Sequence, residues 1–410
     1  MEELLKFTLS SHIDETLDFD LGISSKFCTN LLQDDPNDAV SPSTSFDFDS
    51  DEDSLQGVPL YPLYKRLALA LCRSVNCGAF CRTYKKVALM NEECFLEQKE
   101  EEWSQLILNK GSSDLVDILK AVEFELHVQE PFFSFIKDGL ETVEGRCTIS
   151  DYNRCGLCLV VYELNFHNYV FFFLGSFHII FDSVKYCFAD QQGIYEWFIG
   201  PGSVILLNKC MMLKVQSVCH YDSFSEMLEA ESLVKVLPGV KTIEEGVQIY
   251  RKFYTEEKER SNGVLAICIS KMATQPYVTL ASILSGLGYV GIQSLLGLSH
   301  TAGTISDALP PPRSALLSSF MLPFKPNPLL NVDPPPPPPD SNKNRLAMDV
   351  IGPLIAYCCW LHVHIVQPHG IVFEIRVADG YGACWSEDGC KFIGFLEPYM
   401  EDGHSKGWKH

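Results

Sequence analysis

Gly139-Leu-Glu141-Thr-Val-Glu144-Gly-Arg146 is the stretch on which the reading of this chain turns. It follows Pro131-Phe-Phe-Ser-Phe-Ile136, where the proline suits a first helical turn and Phe132, Phe133, Phe135 and Ile136 supply an apolar face. Gly139 is placed to end that helix in the left-handed conformation. Glu144 and Arg146 stand two residues apart, so in an extended segment both side chains leave the same face. They can form an ion pair or line a shared cleft.

Further along, Val204 to Leu207, Leu213 to Val218 and Val264 to Ile269 are β-rich runs. Between them, Ser223-x-x-Glu226 and Thr242-x-x-Glu245 fit capping boxes, and Val247, Tyr250 and Tyr254 recur at helical spacing. Strands with two capped helices fit a small barrel.

Gly139-x-Glu141-x-x-Glu144-x-Arg146, behind its Phe-rich helix, resembles the G-x-K-x-x-E-x-R signature of the ASCH (activating signal cointegrator homology) family. Gly202 to Lys209 is similar to the family's next strand. Leu237 to Glu257, closing in Gly263 to Ile269, is similar to the C-terminal helix and last strand of its eukaryotic, plant-type members. The resemblance implies an α+β fold, a PUA-like small β-barrel with flanking helices over residues 129–271. Two departures stand out. The signature lysine is Glu141 here, and Cys155 to Ile199 lengthens a connection that is short in the family. That segment, Phe- and Tyr-rich and without helical or alternating order, reads as translated intron sequence, with a genuine insertion as the alternative.

The rest of the chain frames this domain. Of its 410 residues 46% are hydrophobic, enough for a sizeable core, and its formal charge is −21. Such a charge argues against gripping nucleic acid with the whole surface, which needs clustered Lys and Arg. Residues 1–57 hold fourteen Asp and Glu against Lys6 and Lys26, and are expected to form an acidic disordered tail. Residues 58–128 show helical periodicity: a first helix near Leu63 to Cys72, a second ending at Gly111, then a third over Leu115 to Val128 capped by Ser112 or Ser113. Residues 272–345 read as a Pro-rich linker, with Pro334 to Pro339 favouring polyproline II. Residues 346–410 read as a small β-rich module. Sixteen cysteines behind an amino terminus with no apolar leader pattern suit reduced thiols and an intracellular place, nuclear or cytoplasmic. The apolar run from Leu159 to Phe181 contains Glu163 and is not expected to span a membrane.

The resemblance implies RNA as partner, single-stranded or structured, held in a cleft by Gly139, Glu141, Glu144 and Arg146. Lys209, Arg251 and Lys252 are candidate backbone contacts. Transcription coactivation or RNA processing would be the setting. Some small members of the family hydrolyse acetylated cytidine with a signature lysine, a threonine three residues on and a distant glutamate. Glu141 and Glu144 occupy the first two positions here, so no enzymatic activity is expected. The alternative is a scaffold whose partners dock on the acidic tail and the Pro334 to Pro339 run. No cofactor is expected. No metal is expected either: Cys72, Cys77 and Cys81 match no zinc spacing, and His362, His364, His404, His410, Cys384 and Cys390 form no diagnostic set.

Overall fold

The computed structural model describes residues 1–35, 56–83, 95–149, 154–155, 199–301, 303–319 and 340–398. The chain divides into two units. One comprises residues 110–280 with Met1 and Glu3; the other comprises 4–109 and 281–410 with Glu2.

The first unit is built on a six-stranded sheet in the order β1-β4-β5-β6-β2-β3, curled into a half-barrel. Its strands are β1 (Phe124–Leu126), β2 (Val143–Ile149), β3 (Arg154–Cys155), β4 (Val204–Leu207), β5 (Met211–Tyr221) and β6 (Val264–Lys271). Only β1 on β4 is parallel; the other pairings are antiparallel. The register of β5 on β6 shifts between Val215 and Ser217, and an extra residue of this kind bends a strand and increases its twist. Residues on both sides of the long connection thus share one sheet. β2 and β4 are separated in it by β5 and β6.

Helices Phe224–Glu231, Leu233–Val236 and Ile243–Tyr250 cover this sheet, and Val143, Cys147, Val264 and Ala266 pack with Phe224, Met227, Leu228, Val236, Leu237 and Tyr250 as one core. Local chemistry sets where these helices begin. Ser223 accepts from the Glu226 amide at 3.1 Å and Thr242 from the Glu245 amide at 3.2 Å, satisfying first-turn donors that would otherwise be orphaned. The glutamates reach back to the Asp222 and Lys241 amides.

The second unit carries an antiparallel meander of β7 (Trp360–Val366), β8 (Gly370–Arg376), β9 (Gly382–Ser386) and β10 (Phe392–Leu396). Trp360, Phe373 and Trp385 are fully buried there. Inside it, Glu374 bridges His364 at 3.1 Å and Arg376 at 2.5 Å, and Arg376 also donates to the Gly380 and Glu397 carbonyls.

Several expectations require correction. The first 35 residues of the acidic tail are not disordered: Glu2–Ile13 and Ser25–Leu32 are helices that bury Leu4, Leu5, Leu9, Phe27 and Leu31. In each helix buried residues recur at helical spacing, Leu5 with Leu9 and Phe27 with Leu31, a pattern hidden by the acidic average of the segment. The region expected to be linker holds the 21-residue helix Pro276–Leu296, bent at Gly288, and a short helix, Arg313–Ser318. The longer helix has the length and composition of a membrane span, and in this fold it buries Ile283, Leu284, Leu287, Ile292, Leu295 and Leu296. Gly111 does not end a helix. The chain runs through it as a π-helix, Ile107–Leu115, into the short α-helix Val116–Lys120, and then enters β1 rather than a third long helix. A further helix, Asp340–Tyr357, precedes β7. The Asp- and Phe-rich part of the tail, the Leu159 to Phe181 run, nearly all of the Cys155 to Ile199 segment, Pro334 to Pro339, His404 and His410 lie outside the described residues.

Candidate functional site

A cavity of about 140 Å³ opens beside β2. Its polar lining is His127, Gln129, Glu141, Glu144 and Arg146, and its aromatic lining is Phe132, Tyr250, Phe253 and Tyr254.

The backbone around Glu141 is pinned on both sides. The helix Phe132–Lys137 ends as Gly139 takes φ +73°, and the Leu140 and Glu141 amides donate back to the Phe135 carbonyl at 2.9 and 3.1 Å. The Thr142 amide then donates to the Lys235 carbonyl at 2.9 Å, and the Thr142 carbonyl accepts from the Ile269 amide. On β2, Val143 and Cys147 belong to the core, and strand alternation puts Glu144 and Arg146 together on the other face. Gly145 between them has no Cβ for a packing reason: a Cβ there would stand 2.4 Å from the Tyr250 hydroxyl. Tyr250 is held from behind by Phe224, whose ring stacks on it at 4.1 Å.

Charge inside the cavity is unequally matched. Arg146 places Nε 2.7 Å from Glu144 Oε1 and donates through Nη2 to the His127 carbonyl at 2.9 Å. Tyr254 also hydrogen-bonds Arg146. Glu141 is only 3% exposed, and its Oε2 has no hydrogen-bond partner among the described residues. Burial, reinforced by the charge of Glu144 and a hydrogen bond to it, pushes the Glu141 carboxyl up to about 11 despite Arg146 nearby. At neutral pH Glu141 is therefore a protonated acid beside an Arg146–Glu144 ion pair. Tyr250 is likewise raised, by burial first and then by the charges of Glu144 and Glu141.

Residues 126–273 match the ASCH domain family. The chain carries an ASCH domain. Two solved structures are similar to part of it, each 31% identical. One is the crystal structure of hypothetical protein PH0355, which covers 36% of this chain and 97% of its own length with a TM-score of 0.23. The other is the solution NMR structure of protein PF0455 from Pyrococcus furiosus, covering 37% of this chain and 98% of its own length, also with a TM-score of 0.23. No curated protein matches the chain.

Within the ASCH domain, the structure brings Glu141, Glu144 and Arg146 together in the cavity. Gly139 stands behind them as the helix stop, not among the lining residues. Lys209 is exposed at φ +58° in the β4–β5 turn, and Lys252 is exposed beside Phe253; neither lines the cavity. Arg251 does not line the cavity either. It pairs with Glu259, which is 6% exposed and whose other oxygen accepts from the Phe224 amide at 2.6 Å. This guanidinium ties helix to helix. No group of three or more His, Cys, Asp or Glu able to hold a metal occurs among the described residues.

Sequence reasoning missed the aromatic walls and Asn208. Tyr250 and Tyr254 were legible only as a helical stripe, and Phe253 was hidden between them. Asn208, at φ +48° in the turn before β5, accepts from the Val128 amide at 2.8 Å and donates to the Val128 carbonyl at 2.9 Å. It thereby fixes the strip that bears His127 and Gln129. The signal was present, since Asn tolerates left-handed backbone and pairs with an extended strand on both of its amide groups.

Proposed function

We propose that the ASCH domain binds RNA through this cavity, receiving an unstacked base against its aromatic walls, and that it binds rather than catalyses. One observation carries the reading. The opening is lined by four aromatic rings together with hydrogen-bonding groups, and one of the rings, Phe253, is 48% exposed. Sequence-specific RNA recognition works mainly on bases splayed from single strands and stacked on aromatic side chains. Phosphates are then met outside the cavity, and exposed Lys209 and Lys252 are the candidates for that role. The setting we favour is an intracellular complex for transcription coactivation or RNA processing, and a negative overall charge fits binding confined to one site.

The test is RNA affinity of the full chain and of Phe253→Ala, measured by fluorescence anisotropy. Loss of one stacking ring from an exposed position leaves the fold intact and should cost about 1–3 kcal/mol of binding, roughly 5- to 150-fold. Unchanged affinity in Phe253→Ala, or no RNA binding by the parent, overturns the reading.

A further inference from the structure

The cavity has an uncommon charge balance for a nucleic-acid site. Two carboxyls and one guanidinium line it, and the guanidinium is already committed to Glu144, the His127 carbonyl and Tyr254. Glu141 has no cation of its own. It is buried, with 3% exposure, it lines the cavity, and its Oε2 is unpartnered among the described residues. A phosphate entering here would face two carboxyls. The walls favour the opposite sign, because the faces of Phe132, Tyr250, Phe253 and Tyr254 attract cations, and desolvation strengthens that attraction. Size narrows the choice further: an apolar cavity of roughly 150 Å³ takes one benzene ring, close to the volume found here.

Resting on the RNA reading above, we propose that the Glu141 cavity selects a flat six-membered amidinium ring, the alkylated and positively charged ring of an N-methylated RNA base. The ring stacks between the aromatic walls and its exocyclic N–H donates to Glu141 Oε2. Glu141 then ionises, and its proton leaves to solvent as the cation enters. The net charge of the cavity is unchanged by the exchange. A neutral base offers no charge to replace that proton and gains only the hydrogen bond and the stacking.

Two ring sources share this chemistry, N3-methylated cytosine and N1-methylated adenine, and the experiment separates them. The full chain is titrated calorimetrically with 3-methylcytidine, cytidine, 1-methyladenosine and adenosine at pH 7, in two buffers of different ionisation enthalpy. At least one methylated nucleoside should bind roughly ten-fold or more tightly than its parent, as a desolvated cation–π site allows, with about one proton released per ligand. A preference shown by the pyrimidine alone fixes the ring size. In Glu141→Gln, which keeps the shape and cannot ionise, proton release should vanish and the preference should fall to what the aromatic walls alone supply. Proton release in the unaltered protein is measured whether or not that variant folds. Equal binding of methylated and parent nucleosides, binding without proton release, or a preference undiminished in Glu141→Gln overturns the proposal. If no nucleoside binds while RNA still binds in a Phe253-dependent way, this proposal fails and the RNA reading stands. If RNA does not bind either, both fail.

Discussion

At the scale of single residues, Glu141 combines a cost in stability with an opportunity for binding. Its carboxyl is held near 11 in the fold against about 4.5 in an unfolded chain, so the folded state keeps a proton that the unfolded state gives up. Stability from this group is full below pH 4.5 and is lost as pH rises toward 11, at up to about 1.4 kcal/mol per pH unit. Gln at this position keeps an N–H donor for Glu144 and has no proton to lose. Relative to the parent, Glu141→Gln should therefore gain stability steadily between pH 6 and 8, and chemical denaturation at three pH values reads that slope. A difference that does not change with pH would show that Glu141 ionises freely. Arg146 is different in kind. Removing it leaves Glu144 unpaired beside a second carboxyl, and the resulting loss of fold would hide any effect on binding.

At the scale of elements, the hairpin of β4 and β5 positions one wall of the cavity through a single amide side chain. Asn208 supplies two hydrogen bonds to Val128 and adopts a left-handed φ that alanine disfavours. Asn208→Ala should lower stability by about 1–3 kcal/mol, since both Val128 groups lose a partner. It should also weaken RNA binding more than Lys209→Ala does, although Lys209 is the neighbour that carries the charge. Thermal unfolding and anisotropy on the two variants check both parts. Equal binding losses would mean that the hairpin contributes charge and not position. Helix ends in the same unit are more local matters. The Ser223 and Thr242 caps act within four residues of chain, and each alanine replacement should cost about 1 kcal/mol.

At the scale of the molecule, the two units carry opposite responses to acid. In the second unit His362 is fully buried, with Nε2 at 2.8 Å from the Thr304 hydroxyl and 3.2 Å from that of Thr301. Thr304 donates its own hydroxyl hydrogen to the Thr301 carbonyl, which assigns the Nε2–H tautomer to His362. Burial first, then the neighbouring His364 and His300, lower it to about 2. Here the unfolded chain binds the proton more readily, so stability is full above pH 6.5 and is lost as pH falls below it. By pH 5 the loss from this group alone reaches about 2 kcal/mol. The ion pairs of Glu374 with His364 and Arg376 lie on the same strands. Hydrogen exchange followed by mass spectrometry between pH 5 and 8 should show β7 and β8 losing protection toward acid, with the slope flattened in His362→Gln. Glu141 works in the reverse direction within the first unit. An equal slope in the parent and in His362→Gln would rule out the neutral, buried state assigned to His362.

What the sequence determined by itself was whatever a few consecutive residues can settle. The Gly139 stop, the Ser223 and Thr242 caps, the strands at 204–207 and 264–269 and the pairing of Glu144 with Arg146 are all local: they need only backbone sterics, one side-chain hydrogen bond or the two-residue period of a strand. The N-terminal helices were also local, but averaging charge over 57 residues concealed their apolar residues at helical spacing. Tertiary structure alone decided which groups share the cavity. It drew Phe132 from before β2 and Tyr250, Phe253 and Tyr254 from about a hundred residues later, placed His127 and Gln129 through Asn208, and turned Arg251 inward onto Glu259. It also decided the protonation of Glu141, since desolvation and the nearness of a second carboxyl depend on everything packed around a group and not on its neighbours in the chain.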